Sequence, residues 1–179
     1  MSFLEGRRAL AIVLAAGEGT RMKSALPKVL HRVAGRTMLA HVLASVEEAG
    51  MADVAVVIGP GRDDVRAEAQ RAWPQSQVFV QEQRRGTAHA VLAAREALAK
   101  GYDDLLILFA DTPLVKPETM QALRRALTEG AAVAVLGFRP VSPFGYGRLV
   151  QDSSGALLAI KEEKDASPAA RAVATTSVR

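Results

Sequence analysis

The sequence contains no cysteine, few aromatic residues and no apolar run long enough to cross a bilayer. The absence of cysteine excludes disulfides and thiolate metal ligands, and it fits a cytoplasmic protein. Aromatic residues make up 4% of the 179 residues, so Ala, Val and Leu must supply much of the core. A chain of this length is sufficient for one sizeable hydrophobic core. We therefore expect a single globular domain that does not associate with membranes.

The net charge is +4, and the basic residues are spread along the chain instead of being gathered in one tract. Aromatic residues do not interleave with them as a base-stacking surface would require. Small anionic substrates explain the modest positive excess equally well. The sequence therefore predicts no nucleic-acid partner.

Apolar runs alternate with helical patterns along most of the chain, which predicts an α/β fold with a mostly parallel sheet and helices on both faces. The predicted strands are 9–16, 53–58, 77–80, 104–109 and 131–138, and the predicted helices are 37–49, 63–72, 87–99 with Thr87 as N-cap, and one that begins at Pro117. Segments 147–151 and 156–161 then resemble a C-terminal β-hairpin. The tail from Pro168 shows no clear strand.

The first predicted strand leads into a glycine loop, Gly17-Glu-Gly-Thr-Arg-Met22. Glycines at such a position allow backbone N–H groups to approach a phosphate. A dinucleotide-binding motif would need a third glycine where Met22 stands, and a Walker A motif would need Gly-Lys-Ser/Thr, which is absent. Two cations follow, Arg21 and Lys28, and they suit a triphosphate whose charge must be offset. By spacing alone, a solvated surface turn is an equally good interpretation.

Several segments resemble a known family. Leu14-Ala-Ala-Gly-Glu-Gly-Thr-Arg-Met22, followed by Leu26-Pro-Lys28, is similar to the signature of sugar-nucleotide pyrophosphorylases. Segment 80–90 resembles the uracil-binding stretch of bacterial N-acetylglucosamine-1-phosphate uridylyltransferases, and segments 144–148 and 162–165 resemble their sugar-site segments. Several motifs in the same order make this resemblance specific.

The resemblance covers roughly residues 8–166 and implies a Rossmann-like nucleotidyltransferase fold of the GT-A type. The implied reaction takes UTP and N-acetylglucosamine 1-phosphate to UDP-N-acetylglucosamine and pyrophosphate, with Mg²⁺ as cofactor. The sugar phosphate attacks the α-phosphorus in line, so positioning and charge neutralisation carry the catalysis. The product would serve peptidoglycan and lipopolysaccharide synthesis in the cytoplasm.

The resemblance also implies roles for the charged residues. Arg21 and Lys28 would hold the phosphates and stabilise the developing charge as the catalytic residues. Asp111 would bind the metal at the carboxyl end of a strand; the alternative is an Asp that caps the turn before Pro113, and the family's metal Asp at this position favours the metal role. The family commonly has Tyr-Gly-Asp where this chain has Phe109-Ala-Asp111, a change that does not remove the metal ligand.

The remaining matches concern nucleotide and sugar contacts. The lone His89 is assigned no chemistry. The implied nucleotide-binding residues are Leu14, Ala15, Ala16, Gly17, Lys28, Gln81, Gly86 and Thr87, and the implied sugar-binding residues are Tyr146, Gly147 and Glu162.

The family domain continues beyond the Glu-Lys-Asp segment with two Asn residues that contact the sugar and complete the metal site, whereas residues 173–179 do not match it. We therefore expect one nucleotidyltransferase domain over residues 1–179, incomplete at its C-terminal end and impaired in activity. The left-handed β-helix acetyltransferase domain that forms the family's trimer is not in this sequence, so a monomer or weak dimer is expected.

Two alternatives stay open. A related enzyme would use a thymidylyl, guanylyl or cytidylyl nucleotide, although the segment from Gln81 to Thr87 favours uracil. A catalytically silent nucleotide-binding fragment would bind UTP without releasing pyrophosphate.

Overall fold

The computed structural model describes residue 4, residues 6–17, residue 19 and residues 22–177, and it divides into two compact units, Met1–Gly130 and Ala131–Arg179. The first unit contains the strands β1 (Ala9–Ala15), β2 (Arg32–Val33), β3 (Arg36–Thr37), β4 (Asp53–Ile58), β5 (Gln77–Val80) and β6 (Asp104–Phe109). It also contains the helices α1 (Met38–Glu48), α2 (Asp63–Ala72), α3 (Thr87–Ala93), α4 (Arg95–Leu98) and α5 (Pro117–Thr128), and a 3₁₀ helix at Lys28–Leu30.

The core of the first unit is a four-stranded parallel sheet in the order β5-β4-β1-β6. Strand β1 lies in its interior, where Val13 is paired with Val56 on one side and Leu108 on the other. Its sequence is continuously apolar because both of its faces are covered. The chain crosses in one direction from β1 to β4 and β5, then returns to the other side of β1 with β6. Open α/β sheets bind ligands at the carboxyl ends of strands beside such a reversal.

Helices pack on both faces of this sheet, which confirms the predicted α/β layering. On one face, α1, α2 and α5 pack around the β1 and β4 side chains, and Met120 of α5 is fully buried there. On the other face, α3 and α4 cover Leu10, Ile12 and Val57. Burying each such large aliphatic side chain stabilises the fold by roughly 1.5–3 kcal/mol.

Helix α1 shows how the local sequence determines an element. Its N-cap Thr37 accepts a hydrogen bond from the Ala40 N–H through its side-chain oxygen, which satisfies a free backbone donor. Leu39, Val42 and Val46 recur at helical spacing and are all buried. The helix predicted at 37–49 is therefore confirmed, with Thr37 as its cap.

The second unit contains β7 (Gly137–Phe138), β8 (Arg148–Gln151), β9 (Leu157–Lys161), α6 (Pro168–Arg171) and β10 (Thr176–Ser177). These four strands form an antiparallel sheet in the order β7-β10-β8-β9. Strands β8 and β9 are the predicted hairpin, and the Asp152 carboxylate closes its turn by accepting hydrogen bonds from the Ser154 and Ala156 N–H groups.

Three local predictions are wrong. The helix predicted at 87–99 is interrupted at Ala94, and its N-cap is Gly86, whose φ of +100° favours glycine, instead of Thr87. Segment 131–138 does not join the parallel sheet, because only its last two residues form a strand, and that strand is antiparallel. The tail does contain a strand, since β10 pairs with both β7 and β8. Apolar composition indicates that a segment is buried, but it does not determine which strand the segment pairs with.

No helix in the described part of the chain combines the length and the hydropathy that a bilayer crossing requires.

Candidate functional site

A cavity of about 460 Å³ lies at the carboxyl ends of the parallel strands in the first unit. Its walls come from the segment after β1, the 3₁₀ helix that begins at Lys28, the loop between β5 and α3, and the end of β6. The residues from the sequence prediction that line it are Leu14, Ala16, Gly17, Lys28, Gln81, Gly86, Thr87 and Asp111. The fold therefore brings together in one cavity residues that are separated by almost 100 positions.

Of the described residues predicted to contact the nucleotide, Ala15 does not line the cavity. Ala15 belongs to the hydrophobic core on the α1 side of the sheet, because successive strand residues point to opposite faces. Arg21 lies outside the described residues.

Lys28 and Asp111 form an ion pair at this cavity, with 2.6 Å between the Lys28 Nζ and an Asp111 carboxylate oxygen. Each side chain is about one-third exposed, 33% for Lys28 and 32% for Asp111. An ion pair that is this accessible to water adds little to stability. It can therefore open when a stronger partner for either charge enters the cavity.

Gly19 holds Lys28 in place through close packing. Its φ is +61°, and a Cβ built on it would lie only 2.7 Å from the Lys28 Cβ. The Gly19 carbonyl accepts a hydrogen bond from the Met22 N–H. Gly19 and Lys28 are therefore packed directly against each other.

The end of β6 fixes the position of Asp111. Ala110 is fully buried, and its N–H donates to the Leu14 carbonyl, which extends the parallel pairing by one residue. The Thr112 hydroxyl donates to the Phe109 carbonyl and closes the turn. The Asp111 carboxylate accepts a hydrogen bond from the Lys28 ammonium group.

Gln81 is buried at the cavity wall directly after β5. Its backbone N–H donates to the Ile58 carbonyl. Its side-chain Nε2 donates to the Gly86 carbonyl at 3.3 Å and also lies 3.3 Å from the His89 Nδ1. These contacts fold the loop over Gln81 and place Gly86 and Thr87 beside it at the start of α3.

Arg84 also lines the cavity, although the sequence motifs predict no role for it. Its Nε donates to the Ala16 carbonyl at 3.0 Å, so it connects the loop after β5 to the end of β1. Its Nη2 would lie 3.1 Å from a Cβ at Gly59, so the guanidinium group lies close to the Gly59 backbone. Two adjacent arginines inside the predicted uracil-binding stretch were the only indication in the sequence.

Among the described residues, no group of three or more His, Asp or Glu side chains could enclose a metal ion. Mg²⁺ does not need one, because in nucleotide sites it commonly takes one or two carboxylates and completes its coordination with phosphates and water. Asp111 fits this donor set, since it offers an accessible carboxylate beside a cation suited to phosphate. It is therefore the candidate metal ligand of the first unit.

The predicted sugar-binding residues lie in the second unit. Gly147 is buried, and its carbonyl accepts a hydrogen bond from the Ser177 N–H. A Cβ at this position would lie 2.8 Å from the Ser177 Oγ and 3.7 Å from a Glu162 carboxylate oxygen, so Gly147 and Glu162 are neighbours. The Tyr146 ring packs edge-on against Phe138, with 5.0 Å between the ring centroids.

Glu163 is a further charged residue of the second unit that the sequence analysis did not single out. Burial opposes its charge, but the Gly145 N–H and the guanidinium groups of Arg148 and Arg171 hold the pKa of Glu163 below its usual value. The Arg148 side chain is itself buried and lies 2.8 Å from the Glu163 carboxylate. Glu163 therefore serves as a structural anion next to Glu162.

The family follows from comparison with known proteins. The model of the MobA-like NTP transferase domain matches residues 11–175. The chain belongs to this family. As an NTP transferase domain, it has the nucleotidyltransferase fold class that the sequence predicted.

Curated relatives of this NTP transferase domain agree with that assignment. This chain is 64% identical over 167 residues to the bifunctional protein GlmU of Azorhizobium caulinodans, and the match covers 93% of this chain and 37% of the relative. It is 61% identical over 170 residues to the bifunctional protein GlmU of Xanthobacter autotrophicus, which covers 95% of this chain and 38% of the relative. The chain thus spans well under half the length of these relatives.

A solved structure shares the fold. The crystal structure of Rv0371c from Mycobacterium tuberculosis superposes with a TM-score of 0.55 at 26% sequence identity, and the match covers 69% of this chain and 62% of that one. The helix-covered parallel sheet of the NTP transferase domain is thus shared with an experimental structure.

Proposed function

We propose that this chain binds UTP in the cavity of the first unit and transfers uridylyl to N-acetylglucosamine 1-phosphate, with Mg²⁺ as cofactor and pyrophosphate as the second product. One observation carries the proposal: Lys28 and Asp111 lie in the same cavity as Gln81, Gly86 and Thr87. A triphosphate needs cations and a metal carboxylate at one end, and a base needs hydrogen-bonding groups at the other.

Among the described residues, Lys28 is the one that we propose binds the phosphates. When phosphate oxygens reach Lys28, they replace the Asp111 carboxylate as its partner, which leaves that carboxylate available to the metal ion. When bound, Mg²⁺ would neutralise negative charge on the phosphates during attack on the α-phosphorus. Arg84 adds a second positive charge to the cavity wall. Arg21 is proposed as a further phosphate ligand on the basis of the family resemblance.

The base is proposed to lie against Gln81, Gly86 and Thr87. The small residues Ala16 and Gly17 allow the nucleoside to approach the backbone closely, since Ala16 carries only a methyl group and Gly17 has no side chain. Gln81 carries both a donor and an acceptor and can therefore pair with a base edge. This arrangement supports a nucleotide orientation with the base near α3 and the phosphates near Lys28.

The acceptor sugar is proposed to contact Tyr146, Gly147 and Glu162. The Glu162 carboxylate would accept hydrogen bonds from sugar hydroxyls, and the missing side chain of Gly147 would allow close contact. The attacking oxygen belongs to the sugar phosphate, so no protein nucleophile is needed, and the protein contributes through orientation and charge.

The test is pyrophosphate release from UTP and N-acetylglucosamine 1-phosphate, with and without Mg²⁺. Release is expected only when both substrates and the metal are present. dTTP, GTP and CTP replace UTP in parallel reactions, and faster release with any of them would contradict the assignment of uracil. Calorimetric UTP binding without release would contradict the transfer step, and absence of binding would contradict the proposed site.

A further inference from the structure

Gln81 and His89 form a hydrogen-bonded pair in the wall shared by two cavities. Gln81 lines the proposed nucleotide cavity, and it also lines a neighbouring cavity of about 420 Å³ together with His89 and Leu92. Its side chain is buried, with 4% of the residue exposed, and His89 is half-buried. Because a buried amide must use its hydrogen-bonding groups, its neighbours determine its orientation.

The Gly86 carbonyl determines which end of the Gln81 amide faces the loop. A backbone carbonyl can only accept hydrogen bonds, and it lies 3.3 Å from the Gln81 Nε2. Turning the amide over would place two acceptor oxygens against each other. The Nε2 group must therefore point toward Gly86.

This orientation in turn determines the protonation of His89. Its Nδ1 lies 3.3 Å from the same Nε2, and a donor at that distance requires an acceptor. The neutral imidazole can accept at Nδ1 only when its proton is on Nε2 of the ring. Gly86 and His89 then occupy both hydrogens of the Gln81 amide, and the amide oxygen is the atom left for a ligand.

We propose that His89 is a positioning residue that selects uracil over cytosine by holding the Gln81 amide oxygen ready to accept a hydrogen bond. This inference rests on the proposed nucleotide site. The N3 atom of uracil carries a hydrogen, whereas N3 of cytosine carries a lone pair that would meet the amide oxygen without a hydrogen between them. A site built to pair with a donor rejects a ligand that lacks it. Thymine also has an N3–H, so this hydrogen bond distinguishes uracil from cytosine but not from thymine.

The first test measures the His89 tautomer directly and needs no nucleotide. The full chain is labelled with ¹⁵N, and the ring nitrogen shifts of its three histidines are recorded at about pH 8.5, where an ordinary imidazole is neutral. The His89→Asn variant assigns the His89 signals. We expect a bare Nδ1 and a protonated Nε2. A proton on Nδ1 would overturn the inference.

The second test measures base selectivity. Calorimetry gives the ratio of UTP to CTP affinity for the wild type, for His89→Phe, which lacks the acceptor, and for His89→Asn, whose side-chain oxygen can occupy the position of Nδ1. We expect the ratio to fall about tenfold in His89→Phe, in line with the loss of one hydrogen bond. It should be largely retained in His89→Asn. Leu92→Ala, on the same helix and lining the same second cavity, is the matched control and should keep the wild-type ratio.

These outcomes separate the inference from the proposed function. An unchanged ratio in His89→Phe, with UTP still bound, would overturn the role of His89 alone. If the wild type binds no UTP, the proposed site fails, and the tautomer measurement still decides the hydrogen-bond geometry. If His89→Phe does not fold, an equal loss of selectivity in His89→Asn and Leu92→Ala would contradict positioning through the Nδ1 acceptor.

Discussion

The ion pair between Lys28 and Asp111 has a direct consequence for ligand binding in the nucleotide cavity. The two side chains that suit a phosphate and a metal ion neutralise each other in the ligand-free chain. Lys28 therefore competes with Mg²⁺ for the Asp111 carboxylate, and Asp111 competes with the nucleotide phosphates for the Lys28 ammonium group. Metal and nucleotide are then expected to strengthen each other's binding, because either one releases a partner for the other.

Replacing Lys28 by Met separates these effects. We expect UTP affinity to fall at least tenfold, because a hydrogen bond to a charged group contributes about 1.5–3 kcal/mol. Affinity for Mg²⁺ without nucleotide should rise, because Asp111 loses its competing cation. Both are measured by calorimetry, and Lys100→Met is the control, since its ammonium contacts Gln77 instead of the cavity. Weaker Mg²⁺ binding in Lys28→Met would contradict the competition.

Gly19→Ala tests the packing of the glycine loop on Lys28. The added methyl would lie 2.7 Å from the Lys28 Cβ and would also strain the backbone at φ +61°. We expect lower thermal stability and weaker UTP binding. Gly35→Ala is the control, because φ there is +81° but no atom lies within 4 Å of the added Cβ. It should lose stability through backbone strain alone, and equal loss of UTP binding in both variants would argue against the Lys28 contact.

At this scale the sequence motifs predict roles for Lys28, Gln81 and Asp111, and the fold brings these three residues into one cavity. Arg84 and the Gly19 contact could not be identified, because both depend on a neighbour that only the fold supplies. The Ala16 carbonyl that Arg84 contacts is 68 positions away in the chain. No local pattern records such a contact.

At the level of strands and helices, periodicity predicted the first unit well. The strands predicted at 53–58, 77–80 and 104–109 have those same bounds in the structure. Each is a short apolar run, which is the signal that periodicity can recognise. Strand β4 is buried over residues 54–58, whereas β5 is half-buried and Leu105 and Ile107 on one face of β6 are exposed. Strand β10 has only two residues, which pair with Phe138 and Arg148 on the neighbouring strands. It is therefore too short to show an alternation of apolar and polar residues in the sequence.

Strand β6 starts at a charged anchor that makes stability depend on pH. The buried Asp104 carboxylate pairs with Arg7 at 2.5 Å and with Arg124 at 3.1 Å. Burial raises the pKa of Asp104, but hydrogen bonds from both guanidinium groups outweigh it and lower the pKa below the ordinary value of 3.8. The stabilisation is therefore fully present above pH 3.8 and is lost as the pH falls through the lowered value.

Urea unfolding at a series of pH values tests this anchor. The free energy of unfolding of the wild type should decrease below about pH 4, and Asp104→Asn should show a shallower decrease. Near neutral pH the variant should be less stable by roughly 3–5 kcal/mol, because Arg124 is left buried without its anion. Asp63→Asn is the control, since that side chain is 95% exposed. An equal acid dependence in Asp104→Asn and the wild type would exclude Asp104 as its source.

Across the whole molecule, the proposed substrates are assigned to different units. The described residues that line the proposed UTP cavity belong to the first unit, and the proposed sugar contacts belong to the second. The sequence predicts one domain, since no linker marks the boundary near Gly130. Separate units become visible only when contacts between distant residues are known.

This division predicts that nucleotide binding and transfer can be separated by one substitution in the second unit. Thr176 lies fully buried in the interior of the antiparallel sheet, where proline cannot be accommodated because it lacks an N–H donor. Thr176→Pro should increase amide hydrogen exchange in β8 and abolish pyrophosphate release, while calorimetric UTP affinity stays within about twofold of the wild type. Val133→Pro, at a position 73% exposed and outside the strands, should retain both activities. Loss of UTP binding in Thr176→Pro with the parallel sheet still protected from exchange would mean that the second unit contributes to holding the nucleotide.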